Sequence, residues 1–280
     1  MITVNPFSEL SEWIPSIAIQ TYIVVMFLLV VGGTLLDTMH KKSAEWFYKN
    51  SADAKKNATR SIGTSEKTAI AFQVASKEVL LSAEFDNTRR RISHLFTLYG
   101  FLLFVIATVI KAFFYAGPKA ATPSIFPILW HLGALSLCFG GYWFWFSIRV
   151  DVAAEGVKWY HLERADLFIL SLLAMATFGL IWSFLQWMNV AGWEMVFFGL
   201  FLHSSTVLFG GVLWSKFAHM FFKPMAAYQK RITKADGSAE NLPTISRDDP
   251  AQQKRHSMEL LVDAPMDMGP GIKRENPNHY

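Results

Sequence analysis

The chain has 280 residues, 52% of them hydrophobic, with 24 Phe and 10 Trp and a formal net charge of +4. Apolar residues clustered at that density exclude an ordinary soluble domain, and the modest charge gives no argument for a nucleic-acid partner. The single cysteine, Cys138, excludes a disulfide framework, zinc site or iron–sulfur cluster built by this chain alone, because each needs several thiols.

Residues 1–15 read as a short outer segment, with Trp13 at interfacial height. Five apolar runs then reach the roughly 20 residues needed to cross a bilayer. They lie at about 16–36, 94–115, 125–147, 167–188 and 194–220. The first is too long for a cleavable signal and no basic region precedes it, so it is expected to remain as a span. The fold class is therefore all-α and integral to the membrane, a bundle of five transmembrane helices.

Between the first two spans, residues 37–92 form a long polar insertion. Within it, residues 65–85 place Ile70, Val74, Leu81 and Phe85 on one helical stripe, with Ser65 as a candidate cap. Such a helix either packs on the membrane surface and the bundle's own end, or docks a soluble partner. Spans two to five make a bundle over residues 93–220, and residues 221–280 are a polar tail. From Asp236 onward that tail is rich in Pro, Gly, Asp, Asn and Lys and reads as flexible or partner-ordered.

Orientation follows from the basic residues. The insertion, the loop after the third span and the segment from Lys216 onward hold 24 of the 26 Lys and Arg; only Lys111 and Lys119 lie at or beyond the opposite face. This predicts an outer N-terminus and a cytoplasmic C-terminus in the cytoplasmic membrane of a bacterium or archaeon.

Ionisable groups inside spans are costly and usually functional. Of the eight histidines, His40, His161, His256 and His279 fall in loops or the tail and read as solvated. His94 and His219 open the second span and close the fifth, both near the cytoplasmic surface. His131 and His203 fall in the outer half of the third and fifth spans. Two pairs at two depths suit a bundle that holds two haem b groups through paired imidazoles. Arg89, Arg90, Arg91 and Lys216 are placed to neutralise the inner group's propionates.

The stretch WSKFAHMFFKPMAAYQKRI at 214–232 resembles the end of the fifth helix in the gamma subunit of respiratory nitrate reductase, a cytochrome b membrane anchor. RRRISHLFTLYGFLLF at 89–104 resembles the start of that family's second helix. The resemblance covers roughly residues 90–232 and implies that His94 and His219 are axial ligands of the inner haem iron. The family's second ligand on the second helix meets Phe104 here, so that carry-over fails. His203 is sixteen residues from His219, about 160° away round an ideal helix. The outer iron would then take His203 with His131. The long insertion departs from nitrate reductase, and the SKFAHMFFKP stretch looks closer to anchors of sulfur-metabolism complexes, such as adenylylsulfate reductase or heterodisulfide-reductase-like proteins.

The reading is an electron-transfer subunit with one or two haem b groups, itself without catalytic residues. It exchanges electrons between the quinone pool and cytoplasmic iron–sulfur or flavin subunits. Lys111 or Lys119 either hydrogen-bonds a quinone oxygen or snorkels to the outer interface. Ser204, Ser205 and Thr206 are expected to bond carbonyls within their own helix. The alternative is a haem-free membrane scaffold or small transporter.

Overall fold

The computed structural model describes residues 1–238 except 41–42, 84, 86, 118–120, 153–154, 191, 216 and 218. All regular structure among the described residues is helical, with no strand. Helix α1 spans Pro6–Leu10, α2 Ser16–His40, α3 Ser43–Lys56 and α4 Thr64–Gln73, the last continuing as a π-helix over Val74–Leu80. Next come α5 at Thr88–Phe114, α6 at Ile125–Trp143 with a π turn at Phe144–Ile148, and α7 at Leu167–Trp187 behind a 3₁₀ turn at Arg164–Asp166. Helix α8 spans Trp193–Gly210 and α9 spans His219–Ala235. Five helices are long and apolar enough to cross a membrane: α2, α5, α6 with its π turn, α7 with its 3₁₀ turn, and α8.

The chain divides into two compact units, one of Met1–Trp46 with Val74–Met225 and one of Phe47–Gln73 with Ala226–Tyr280. In the first unit α5 packs most extensively on α6; α6 packs on α7, α7 on α8, and α2 on α8 and α5. Small residues permit the α5–α6 approach, as is usual where lipid removes the hydrophobic drive between helices. A Cβ on Gly133 would stand 2.6 Å from the Phe104 backbone nitrogen, so only glycine fits there. Serines lace the same seam, Ser93 donating to the Gly140 carbonyl at 2.8 Å and Ser136 to that of Phe96 at 2.9 Å.

The core of this unit is aromatic. Trp130 and Trp182 are fully buried, and Phe7, Phe104, Phe198 and Phe201 pack with them. Outward faces are apolar too: on α2 Val24, Phe27, Leu28, Val31 and Leu35 are all exposed. A helix that is apolar all round and exposed matches a hydrocarbon solvent rather than water.

At one end of the bundle α1 acts as a plug. Asn5 caps it, accepting from Phe7 N, and Pro6 takes the first helical position, where no backbone donor is missed. The Asn5 amide also donates to the Tyr115 carbonyl at 3.0 Å and to Thr122 at 3.1 Å, and Gln186 donates to the Pro6 carbonyl at 3.1 Å. Partial burial, with Glu12 and Glu194 nearby, pushes the Glu9 carboxyl above its ordinary range. At the other end Arg149 is buried, donates to the carbonyls of Lys158 and His161 and pairs with Asp166, which fixes the loop between α6 and α7.

In the second unit Arg60 pairs with Glu66 at 2.5 Å, holding that carboxyl below its ordinary range, and donates to the Ala235 carbonyl. Thr59 N and Oγ1 both donate to the Asp236 carbonyl.

Two expected elements are corrected. The helix of the insertion begins at Thr64 and ends at Leu80, so the expected stripe breaks: Ile70 and Val74 are buried, Leu81 is exposed, and Phe85 lies beyond the helix. The fifth span ends at Gly210 rather than running on to residue 220. Gly211 closes a turn on the Val207 carbonyl, which a Cβ at this position would strike, and the chain turns through Ser215 before α9 begins.

Candidate functional site

His94 and His219 reach one end of the bundle by different helices. Phe101 of α5 faces Phe209 of α8 at 6.3 Å between ring centroids, and Phe104 faces Phe201 at 6.2 Å, so the two helices run antiparallel. His94 lies two turns before Phe101, on the side toward which α8 exits. Past the glycine break Phe217 folds back onto Phe209 at 6.1 Å, and His219 opens α9 two residues later. The 160° expected between His203 and His219 assumed one continuous helix; the break at Gly211 removes that constraint.

His94 stands in a built environment. Ser82 Oγ is 2.9 Å from its Nδ1, and the Phe85 ring packs 5.0 Å from the imidazole. The same Phe85 ring carries Lys223 Nζ on it at 4.9 Å, and Lys223 is one helical turn beyond His219. Phe85 thus bridges His94 to the first turn of α9. Around it Arg90 pairs with Glu155 at 2.7 Å and Arg91 Nε donates to the Leu81 carbonyl at 2.8 Å. Two of the expected propionate partners are therefore committed within the protein. Arg89 is exposed, and Lys216 lies outside the described residues.

The expected outer pair is not assembled. His131 is fully buried on α6, with Nδ1 2.8 Å from the Pro127 carbonyl and Nε2 2.9 Å from Ser183 Oγ. The carbonyl can only accept, so Nδ1 carries the proton and the serine hydroxyl donates to Nε2. His203 is exposed on α8, and α7 packs between α6 and α8. Both imidazole nitrogens of His131 are occupied by hydrogen bonds, and the position that the resemblance reserves for a ligand is filled by Phe104, packed at a tilt on Trp130 with ring centroids 4.8 Å apart. The residues do not fit a second haem on His131 and His203. The signal for this pairing in the sequence is Ser183, an in-span hydroxyl that pairs with His131 Nε2.

Lys111 does not snorkel. It is fully buried, with Nζ 3.9 Å from the centre of the Trp130 ring and 4.9 Å from that of Phe7. Among the described residues neither Lys111 Nζ nor Trp182 Nε1 has a hydrogen-bond partner, and Trp182 packs against the same Phe7 ring at 5.2 Å. Lys119, His256 and His279 lie outside the described residues, while His40 and His161 are exposed as expected. Ser204, Ser205 and Thr206 bond carbonyls of their own helix.

An almost wholly apolar crevice of about 280 Å³ runs between α2, α5 and α8, from Phe7 and Thr108 at the plugged end to Phe217 and Phe221 at the other. None of His94, His131 and His203 lines it. Among the described residues no group of three or more His, Cys, Asp or Glu is placed to hold a metal ion. Bis-imidazole haem needs two axial imidazoles; the described contacts place His94 against Phe85, whose ring also carries Lys223 of α9. Comparison with protein-family models, curated proteins and solved structures gave no match.

Proposed function

We propose that the chain is the membrane-anchor subunit of a quinone-linked oxidoreductase, a cytochrome b with a single haem b held by His94 and His219. The bound haem would supply one-electron transfer between membrane quinone and an iron–sulfur or flavin centre on a cytoplasmic partner. One observation carries the reading: Phe85 joins His94 to the turn that follows His219, so two histidines far apart in sequence share one end of the bundle. The resemblance to the nitrate reductase gamma subunit rests on the same two residues, and the partner is inferred to belong to sulfur or nitrate metabolism.

In this reading the N-terminus and α1 are outside, and the ends bearing His94 and His219 face the cytoplasm of a bacterium or archaeon. At the outer end Lys111 Nζ and Trp182 Nε1 are buried donors without an acceptor among the described residues, a state that costs free energy unless a ligand supplies one. A quinone carbonyl has the required chemistry, and the crevice is apolar along its length, as an isoprenoid tail requires. The second reading, a haem-free scaffold, draws on His131, whose two ring nitrogens are satisfied within the protein.

A reduced-minus-oxidised spectrum of the purified protein separates the two. A b-type band is expected, and it should be lost in His94→Ala and in His219→Ala. A colourless parent supports the scaffold, and full haem content in both variants overturns the ligand assignment.

A further inference from the structure

Ser82 is a non-glycine residue in the left-handed region, at φ +48°, and it is 1% exposed. Left-handed backbone is strained for a residue with a Cβ, and such strain persists only where the surroundings over-determine it. Here they do. Tyr99 Oη donates to the Leu80 carbonyl at 2.7 Å and Arg91 Nε to that of Leu81 at 2.8 Å. Leu81 N bonds the Ser76 carbonyl at 3.2 Å, Ala83 N that of Lys77 at 2.9 Å, and Phe85 N that of Ser82 itself at 3.2 Å. Two side chains of α5 and the end of the π-helix thus clamp this turn, and among the described residues the one side-chain hydrogen bond of Ser82 is to His94 Nδ1, at 2.9 Å.

Packing alone does not call for this arrangement. Glycine would take the same backbone conformation at no steric cost, and asparagine at little. A serine hydroxyl directed at an imidazole from a buried, strained turn resembles the outer hydrogen bonds that fix the ring and tautomer of metal-bound histidines.

We propose that Ser82 is a positioning residue for His94: its Oγ accepts the Nδ1 proton, which fixes the tautomer and presents Nε2 as the iron-binding nitrogen. This rests on the reading of His94 as an axial ligand. It adds a function for the insertion, whose last turn becomes part of the haem site rather than a docking element. Accepting the Nδ1 proton makes the imidazole a stronger donor to ferric iron, so Ser82 also lowers the reduction potential.

The test uses the full-length protein in detergent, with haem content, loss of haem to a competing haem-binding protein, and reduction potential as readouts. Ser82→Ala removes the hydroxyl and keeps the strain; Ser82→Gly removes both. Each is expected to lose haem about 10- to 100-fold more readily and to show a raised potential. Ser82→Asn, which tolerates the left-handed region and retains a polar acceptor, should recover part of both. Parent-like haem retention and potential in the Ala and Gly variants overturn the proposal. So does a loss in Ser82→Ala that Ser82→Gly cures, which would make strain rather than the hydroxyl the agent. The ligand assignment fails separately, when His94→Ala keeps its haem.

Discussion

Within the plugged end of the bundle, Lys111 and His131 illustrate two ways of keeping an ionisable side chain among tryptophans. His131 is satisfied: it gives one proton to a carbonyl and accepts another from Ser183. His131→Ala removes both bonds and leaves a cavity beside Trp130, so it should cost about 2–4 kcal/mol in thermal unfolding in detergent. Its haem content should equal that of the parent; a fall in haem with stability unchanged would return His131 to the ligand set. Lys111 finds no hydrogen-bond partner among the described residues, its Nζ resting on two ring faces. Replacing it with an apolar side chain of similar length should remove a desolvation cost. Lys111→Met is therefore expected to unfold at or above the parent temperature while losing quinol-dependent reduction of the haem. A destabilised variant with intact reduction would mean that the lysine serves packing alone. The sequence marked both residues as unusual but not their surroundings, because the partners of a buried polar group come from other helices, where spacing along the chain carries no information.

On the scale of single helices, hydropathy matches the five long apolar helices to within about a turn except at the start of α5, which begins at Thr88 rather than residue 94, and at the end of α8. The second departure is instructive. Past Gly210 the residues Val212, Leu213 and Trp214 stay apolar, so hydropathy ran on, while the backbone turned where Gly211 allows its close approach to the Val207 carbonyl. The Gly-Gly pair was the legible cue, and a continuous-helix geometry hid its consequence. The insertion helix failed in the opposite sense. Its stripe extended to Phe85 in sequence, but the hydrogen bonds of Tyr99 and Arg91 draw residues 80–81 into a turn instead. Tertiary bonds there outweigh periodicity. The α5–α6 seam gives a direct test of packing by small residues. Gly133→Leu must push the two helices apart, since even a Cβ stands 2.6 Å from the Phe104 nitrogen. A loss of about 1–3 kcal/mol is expected in thermal unfolding. The His131 and Trp130 contacts should loosen with it, which tryptophan fluorescence would report. A variant as stable as the parent would show that the seam tolerates separation.

For the molecule as a whole, the proposed orientation draws on 24 basic residues against 2, an asymmetry of the sign that membrane insertion keeps in the cytoplasm. A reporter active only in the cytoplasm should work when fused after Tyr280 and be silent when placed in the loop at 116–124. The reverse result would exchange the inner and outer ends of the bundle. Helix α2 has a further consequence. It forms one wall of the apolar crevice and turns its remaining faces outward, with Ile19, Met26 and Asp37 its only buried side chains. A greasy ligand reaches such a crevice sideways, by diffusing within the plane of the lipid, and never has to pass through water. Its occupancy is then set by its mole fraction in the bilayer, so dilution of the membrane with extra lipid should empty the crevice while dilution with buffer leaves it filled.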